Sequence, residues 1–456
     1  MVKKRSFHIG VAILLITLLN VLPCSVYIIG VINIFSLLYL GNGIRRISGK
    51  SFTPFLLIAA CLYLFHSGHL WFSMFTLYPK DFLTSFQERY LTTDYNYILG
   101  IYRDITTLLI LFLLGGLIIV KDCNSVEKNV RFIQYKSSST LQIIFMISYL
   151  WGMYIELKRA IAVASTTYAD GYLYESTLDS HIASMVSVLL FFFLYVYRND
   201  KRKFNFYMLL MLCRTLFIMF FVGNRGASVI SLLISMFIVI NYSYLSTNKT
   251  FIRRLVTFSA VSMLVILPFI GSIRGGDVAN VGFNSYVQKN EFIERFFTEF
   301  GGTAENVFLC KEFAESVGPS YGFQILCNTL SIIPRSTEIF GDIITKNTSI
   351  GAIMNTYYNR SALGGSLLGQ LYFNFNGTYL LYISIILVGF LSSWCSNKLL
   401  DKSLSLFYTV LLLCMFSGLM TWVRGEWYDV VIQTKICLYI IFAVYIFRNS
   451  MLRRVK

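Results

Sequence analysis

Charge is scarce in this chain. Only 14% of its 456 residues are Asp, Glu, Lys or Arg, where a soluble protein carries about 25%. That shortage excludes an ordinary cytosolic enzyme and a disordered chain. Proline is rare too, at six residues, which leaves no room for Pro-rich linkers, and nine cysteines are too sparse for a disulfide scaffold. No glycine-rich loop of the phosphate-cradling kind occurs, no paired-cysteine metal spacing and no internal repeat. What is present in quantity is apolar: 56% hydrophobic and 16% aromatic residues. A chain of this make-up belongs in a bilayer.

A spanning helix needs about 20 mostly apolar residues, because it rises about 1.5 Å per residue across a core about 30 Å thick. Twelve segments qualify between charge clusters: 7–22, 25–41, 52–77, 97–120, 138–157, 181–197, 204–222, 226–244, 255–273, 377–397, 404–422 and 430–447. The first two are short and divided only around Pro23, so a single kinked segment is the alternative there. The opening Lys3-Lys4-Arg5 before an apolar stretch is read as a retained anchor, since no small-residue cleavage site follows.

The net charge of +16 is an orientation signal, and nucleic acid is not expected as a partner. Lys and Arg stay on the cytoplasmic side of short loops. With the N-terminus inside and twelve alternating spans, 23 of the 39 basic residues fall on the inner side against four acids, and the remaining 16 basic residues are matched by 19 acids. Both termini are then cytoplasmic. The expected organisation is residues 1–273 as nine spans, 274–376 as one large extracytoplasmic loop, and 377–456 as three spans and a cytoplasmic tail. No inner loop is long enough for an ATPase or kinase, so any chemistry belongs to the membrane and its outer face.

The large loop is not a linker. Phe292 to Phe313 places apolar residues at helical spacing with acids opposite, which predicts an amphipathic helix. Tyr321 to Ile333 is an apolar run too short to span, which predicts an interface-lying or re-entrant helix before Pro334.

Three outer span ends carry arginine beside glycine: Asn224-Arg225-Gly226, Ile273-Arg274-Gly275 and Val423-Arg424-Gly425. Arg335 and Arg360 lie in the loop itself. A guanidinium stays charged and offers a planar fork of donors suited to phosphate oxygens. The plain alternative is interfacial snorkelling, or pairing with Glu426, Asp277 and Glu338. Acids nearby are candidate bases, because removing the proton of an attacking sugar hydroxyl typically contributes about 10²–10⁴-fold. These are Glu426 with Asp429 three residues on, Asp277, and Glu305 beside Asn306. Tyr357, Tyr358, Tyr372 and Phe373 are candidate stacking surfaces for sugar rings, with core or interfacial packing as the alternative. Arg214, near mid-span, either faces the bundle interior or a wet cavity for function or calls for an acidic partner in a structural ion pair. His66 and His69, three apart, suggest either a metal pair or proton relay or simply packed, hydrogen-bonded histidines; the cysteines read as small apolar packers, and Cys310 and Cys327, both in the loop, could pair though nothing requires it.

Several short segments together resemble the oligosaccharide repeat-unit polymerases, the O-antigen, capsule and enterobacterial common antigen family. They are Gly223-Asn224-Arg225-Gly226-Ala227-Ser228, Ala304-Glu305-Asn306-Val307, Ser331-Ile332-Ile333-Pro334, Gly364-Gly365-Ser366 through Gly369-Gln370 to Gly377, and Arg424-Gly425-Glu426. The resemblance covers about 220–430. It implies an all-α polytopic membrane protein of about twelve spans, GT-C-like in architecture, at the bacterial plasma (inner) membrane. The implied activity is an inverting, metal-independent glycosyl transfer, without cofactors, that polymerises undecaprenyl-pyrophosphate-linked repeat units into surface polysaccharide at the outer face. A chain-length regulator and a flippase are the implied protein partners. Taken with that resemblance, the residues point to Arg225, Arg274 and Arg424 for the pyrophosphate and to Arg335 and Arg360 for orienting donor or acceptor, with Asn306, Tyr357 and Tyr358 as further substrate-binding candidates. Glu426 is the preferred base and Glu305 the second, with Arg424 counted among the catalytic groups.

Two other functions compete. An O-antigen-ligase-type transferase tends to carry a histidine in the outer loop, and residues 274–376 contain none. A transporter or flippase for lipid-linked sugar would show two related halves, and the outer arginines gather at one face instead.

Overall fold

The computed structural model describes residues 2–122, 135–165, 177–222, 225–246, 248, 250–259, 291–358, 365–401, 403–446 and 452–454. These are helical apart from a short antiparallel ribbon, Tyr135–Ser137 against Leu452–Arg454, in which Tyr135 faces Arg454. The chain forms two compact units. The first comprises Met1–Glu127, Phe283–Leu400 and Trp422–Asp429; the second comprises Lys128–Gly282, Asp401–Thr421 and Val430–Lys456.

Seven helices among the described residues are long and apolar enough to cross a membrane: Val26–Ser48, Pro54–Ser73, Tyr95–Ile119, Ser139–Val163, Lys201–Val222, Leu380–Leu399 and Trp427–Ile446. Shorter apolar helices occupy Arg5–Val21, His181–Val196, Ser228–Asn241 and Leu406–Trp422. The protein is thus an all-helical polytopic membrane protein. The first two predicted spans are separate helices, α1 (Val2–Val21) and α2 (Val26–Ser48), with Pro23 in the break. The predicted span 255–273 lies outside the described residues beyond position 259.

In the first unit α3 (Pro54–Ser73) starts on Thr53, whose hydroxyl accepts from Leu56 N at 3.2 Å, with Pro54 in the first turn where a missing N–H costs nothing. Two short helices, α4 (Pro79–Thr84) and α5 (Gln87–Tyr90), lead to α6 (Tyr95–Ile119). That helix crosses α18 (Leu380–Leu399) almost backbone to backbone. A Cβ on Gly115 would stand 2.2 Å from the Ile386 carbonyl oxygen, and one on Gly389 2.1 Å from that of Phe112. Polar side chains then reach across: Ser393 Oγ donates to Gly116 O at 3.1 Å and Asn397 Nδ2 to Ile119 O at 3.0 Å. Between helices in lipid the hydrophobic effect gives no drive, so small residues and interhelical hydrogen bonds carry the association. Asn33 of α2 does the same deeper in, donating to Ser67 and Thr106 hydroxyls and accepting from Trp71 Nε1.

The second unit contains α7 (Ser139–Ser165), α8 (Thr177–Val196), α9 (Lys201–Phe217), α10 (Arg225–Asn241) and most of α19 (Leu406–Trp422) and α20 (Trp427–Ile446). Asp200 caps α9 through Arg202 N and Lys203 N, and the helix ends in one π turn, Ile218–Val222. The acid that Arg214 calls for is Glu156. Its Oε1 lies 3.3 Å from Arg214 Nη2, and its Oε2 lies 2.9 Å from Arg159 Nη1.

The remaining helices belong to the first unit and make up the described part of the large loop. They are α11 (Glu291–Gly301), α12 (Ala304–Ser316), α13 (Phe323–Leu330), α14 (Ser336–Phe340), α15 (Asp342–Asn347), α16 (Ile350–Tyr358) and α17 (Leu367–Phe375). The single amphipathic helix predicted from Phe292 to Phe313 is two helices broken at Gly301–Thr303. The cause is a close approach to α3: a Cβ on Gly68 would sit 2.6 Å from the Phe297 carbonyl oxygen and one on Gly301 2.4 Å from His69 N. The apolar run at 321–333 contributes only the eight residues of α13, which bury Gln324, Cys327 and Asn328 and expose Phe323 and Leu326.

Candidate functional site

The segment Trp422 to Asp429 joins the last two apolar helices. Asp429, in the first turn of α20, accepts from Glu426 N at 2.9 Å while its own N–H donates to Glu426 O at 3.0 Å, a reciprocal cap that fixes the turn. The Glu426 side chain then points to the start of α16. Its Oε1 accepts from Gly351 N at 3.0 Å and Ser349 Oγ at 3.3 Å, and its Oε2 accepts from Ile350 N at 3.0 Å. A carboxylate at a helix N-terminus meets unsatisfied N–H groups and the positive end of the helix dipole. A carboxylate has about four acceptor sites, so three donors leave about one lone pair for an incoming hydroxyl. Burial pushes the Glu426 carboxyl up to about 7, Asp429 adds to the rise, and the hydrogen bonds from Gly351, Ile350 and Ser349 oppose it.

One glycine of the loop admits this turn and a second admits α12 beside it. A Cβ on Gly365 would lie 2.4 Å from Glu426 Cγ and 2.9 Å from the Gly425 carbonyl oxygen; a Cβ on Gly369 would lie 2.9 Å from the Asn306 carbonyl oxygen. Asn306 Nδ2 in turn donates to Gly365 O at 3.3 Å. Ser366 caps α17 by accepting from Gly369 N at 3.0 Å. The segments around Asn306, Gly365–Gln370 and Arg424–Glu426, far apart in sequence, therefore meet at one place.

Gln370, buried on α17, ties the ends of the turn together. Its Oε1 accepts from Trp422 Nε1 at 2.5 Å and from Trp427 N at 2.8 Å. Arg424, exposed on the same turn, lays its guanidinium over the Phe65 ring of α3 at 5.7 Å.

The other candidates separate into groups. Glu305 opens α12 near Tyr90, whose phenol is pushed well above its ordinary range, first by burial, then by Tyr102, with the Glu305 charge contributing. Tyr358, half-buried, donates its hydroxyl to Leu309 O at 3.0 Å. Tyr357 is 48% exposed and stands edge-on to Phe313, so it presents an open ring. Tyr372 and Phe373 are buried, Phe373 stacked on Phe313, and serve as core. Arg335 is exposed and 3.8 Å from Glu338, the plain pairing foreseen for it. Arg225 begins α10 in the second unit. Arg274, Arg360 and Asp277 lie outside the described residues.

His66 and His69 are packed histidines. His69 Nε2 faces the Thr298 carbonyl at 2.9 Å, which can only accept, so Nδ1 takes the Tyr90 hydroxyl, itself 2.8 Å from that of Tyr102. His66 Nδ1 meets Leu62 O at 2.9 Å. Among the described residues no group of three or more metal-ligating side chains occurs. Cys310 and Cys327 are buried free thiols and do not pair.

Sequence reasoning did not single out Gln370, Gln324, Ser349 or the two flanking tryptophans. Gln370 stood inside a quoted motif without a role, and Trp422 and Trp427 bracket Arg424–Glu426 closely enough to have drawn notice.

A family model described as O-antigen polysaccharide polymerase Wzy matches residues 5–454. No curated protein and no solved structure matches the chain.

Proposed function

The chain belongs to the O-antigen polysaccharide polymerase Wzy family, and from that premise we propose that it extends surface polysaccharide by joining undecaprenyl-pyrophosphate-linked repeat units at the outer face of the bacterial inner membrane. The observation that carries this reading is the convergence of Asn306, Gly365–Gln370 and Arg424–Glu426 on one half-buried carboxylate. The family match supports a polymerising glycosyltransferase in the membrane, and the seven long apolar helices support a multi-pass protein. The twelve-span topology, the GT-C-like architecture and the three-part division 1–273, 274–376 and 377–456 belong to the proposal.

In the proposed step Glu426 takes the proton of an acceptor sugar hydroxyl as its oxygen bonds to the anomeric carbon of the donor glycan. The bond from that carbon to the pyrophosphate oxygen breaks on the opposite face, which inverts the centre and leaves lipid pyrophosphate. A carboxylate titrating near 7 suits this, because a base is most effective with its pKa near the working pH. Arg424 supplies positive charge on the same turn, where it neutralises the charge that develops on the leaving group. Arg225, Arg274, Arg335 and Arg360 are proposed to bind the anionic donor, and Asn306, Tyr357 and Tyr358 the sugars; Glu305 is the second candidate base. With guanidinium groups in that role the step requires no metal. A chain-length regulator and a flippase are proposed as partners in the same membrane.

The test uses purified protein in nanodiscs with an authentic undecaprenyl-pyrophosphate repeat unit. The expected result is a product ladder growing by whole repeats, lost in Arg424→Ala. Lipid-linked sugar moved between leaflets with no ladder would overturn the polymerase in favour of a transporter.

A further inference from the structure

The amide side chains behind Glu426 close into a ring. Gln370 Oε1 holds Trp422 Nε1 and Trp427 N, the two ends of the catalytic turn. Gln370 Nε2 donates to Gln324 Oε1 at 2.7 Å, and Gln324 Nε2 donates to Thr348 O at 3.0 Å. Thr348 precedes Ser349, Ile350 and Gly351, whose groups grip the Glu426 carboxylate. The turn and the N-terminus of α16 are therefore joined twice, once through Glu426 itself and once through Gln370 and Gln324. Asn374 braces the second path, donating from Nδ2 to Gln324 Oε1 at 3.2 Å and accepting from Ser320 Oγ at 2.7 Å.

The second path uses neutral groups only, and Gln370, Gln324 and Asn374 are all but fully buried. Glutamine is the residue that meets both demands at position 370. Its oxygen accepts from two N–H groups while its nitrogen passes a hydrogen bond onward; leucine does neither, and asparagine is one methylene short. A fully satisfied buried network of this kind rigidifies what it touches.

We propose that Gln370 and Gln324 are positioning residues that hold the Glu426 carboxylate in its reactive orientation. The proposal rests on Glu426 being the base. With the second path cut, Glu426 would swing on its turn and water would reach it. Displacement of a catalytic group by about 1 Å can cost about 10²-fold in rate.

The experiment compares wild type, Gln370→Leu, Gln370→Glu and Gln324→Ala, purified in nanodiscs, by kcat and KM for chain extension across pH. The titratable groups that bear on the Glu426 charge are Asp429 of its own turn and Cys310 of α12, and no variant alters them. Gln370→Leu is expected to lose about 10²-fold in kcat, with KM changed by no more than about twofold, and its acid limb to move to lower pH as water reaches the carboxyl. Gln370→Glu keeps the acceptor for both N–H groups and, protonated in this buried setting, donates its O–H to Gln324 Oε1 in place of the lost N–H, so it is expected to recover most of the rate. Gln324→Ala, one link further from the turn, shows the same pattern at smaller size and carries the test if Gln370→Leu fails to fold. A folded Gln370→Leu with the wild-type kcat and acid limb overturns the proposal. So does a loss of rate with the acid limb unmoved and no recovery in Gln370→Glu, which is plain destabilisation. Full activity in Glu426→Gln, by contrast, removes the base and not the ring.

Discussion

Two glutamates, one in each unit, are held by opposite means. Glu156 lies between the guanidinium groups of Arg214 and Arg159, at 3.3 and 2.9 Å. Glu426 accepts from two backbone N–H groups and a hydroxyl, with another acid, Asp429, on the same turn. Arg214 also donates to Ser187 Oγ and Ala183 O, so the charges at Glu156 are paired and locked together. A carboxylate between two cations cements helices. One held by peptide dipoles and shielded from water stays close to the point where it gains or loses a proton, which is what proton transfer requires. The same residue type thus serves structure in one unit and is the proposed base in the other.

The sharpest way to break that comparison is Glu426→Gln. It is expected to cost about 10²–10⁴-fold in chain extension while the protein stays folded, read by the product ladder beside a thermal melt in detergent. Glu156→Ala should do the reverse. It leaves Arg214 and Arg159 without their carboxylate, and removing one partner of a buried pair costs about 3–5 kcal/mol. The melt should fall steeply, with activity per folded molecule retained; a melt equal to wild type would show that Glu156 is no cement.

Gly389→Leu tests the frame that carries the first unit. The added side chain meets the Phe112 carbonyl at once, and overpacking of this kind costs about 1–3 kcal/mol. An unchanged melt would mean that α6 and α18 do not cross as closely as described.

The pH dependence sharpens the contrast further. Activity should fall as pH drops through about 7, because the proposed base Glu426 takes up a proton there. Stability carries the opposite sign: a carboxyl that titrates near 7 when folded and near 4.5 when unfolded favours the fold fully below about 4.5, and that contribution is lost as pH rises through 7. Rate and melting temperature measured on one preparation should therefore move in opposite directions between these limits, and should cease to do so in Glu426→Gln. The smallest effect belongs to Arg335→Ala. Its pair with Glu338 is exposed and worth about 0–1 kcal/mol, so the melt should barely move; a rise in KM would support the proposed contact with substrate, and an unchanged KM would leave only the surface pair.

Hydropathy alone was enough to find the apolar helices, because a bilayer imposes length and composition on each span independently of its neighbours. The break at Gly301–Thr303 was not legible, since the apolar spacing from Phe292 to Phe313 runs straight through it. Only the approach of α3 at Gly68 shows why the chain must turn there. His66 and His69 were ambiguous for a similar reason: their spacing is equally that of a ligand pair and of packed side chains, and the Thr298 carbonyl and Tyr90 hydroxyl decide between them. Arg335 beside Glu338 could be read either way until its exposure was seen.

By itself, then, the sequence determined the membrane class, the positions of most apolar helices and the short segments that carry the family resemblance, because these depend on local composition and spacing. Only the tertiary structure decided that Asn306, Gly365, Gly369 and Gln370 close around Glu426, that Tyr372 is core while Tyr357 is open, and that one glutamate is locked in an ion pair while another is held by peptide N–H groups. Those outcomes turn on contacts between residues tens to hundreds of positions apart, where a missing Cβ or a single amide oxygen sets the distance, and no local pattern in the chain records them.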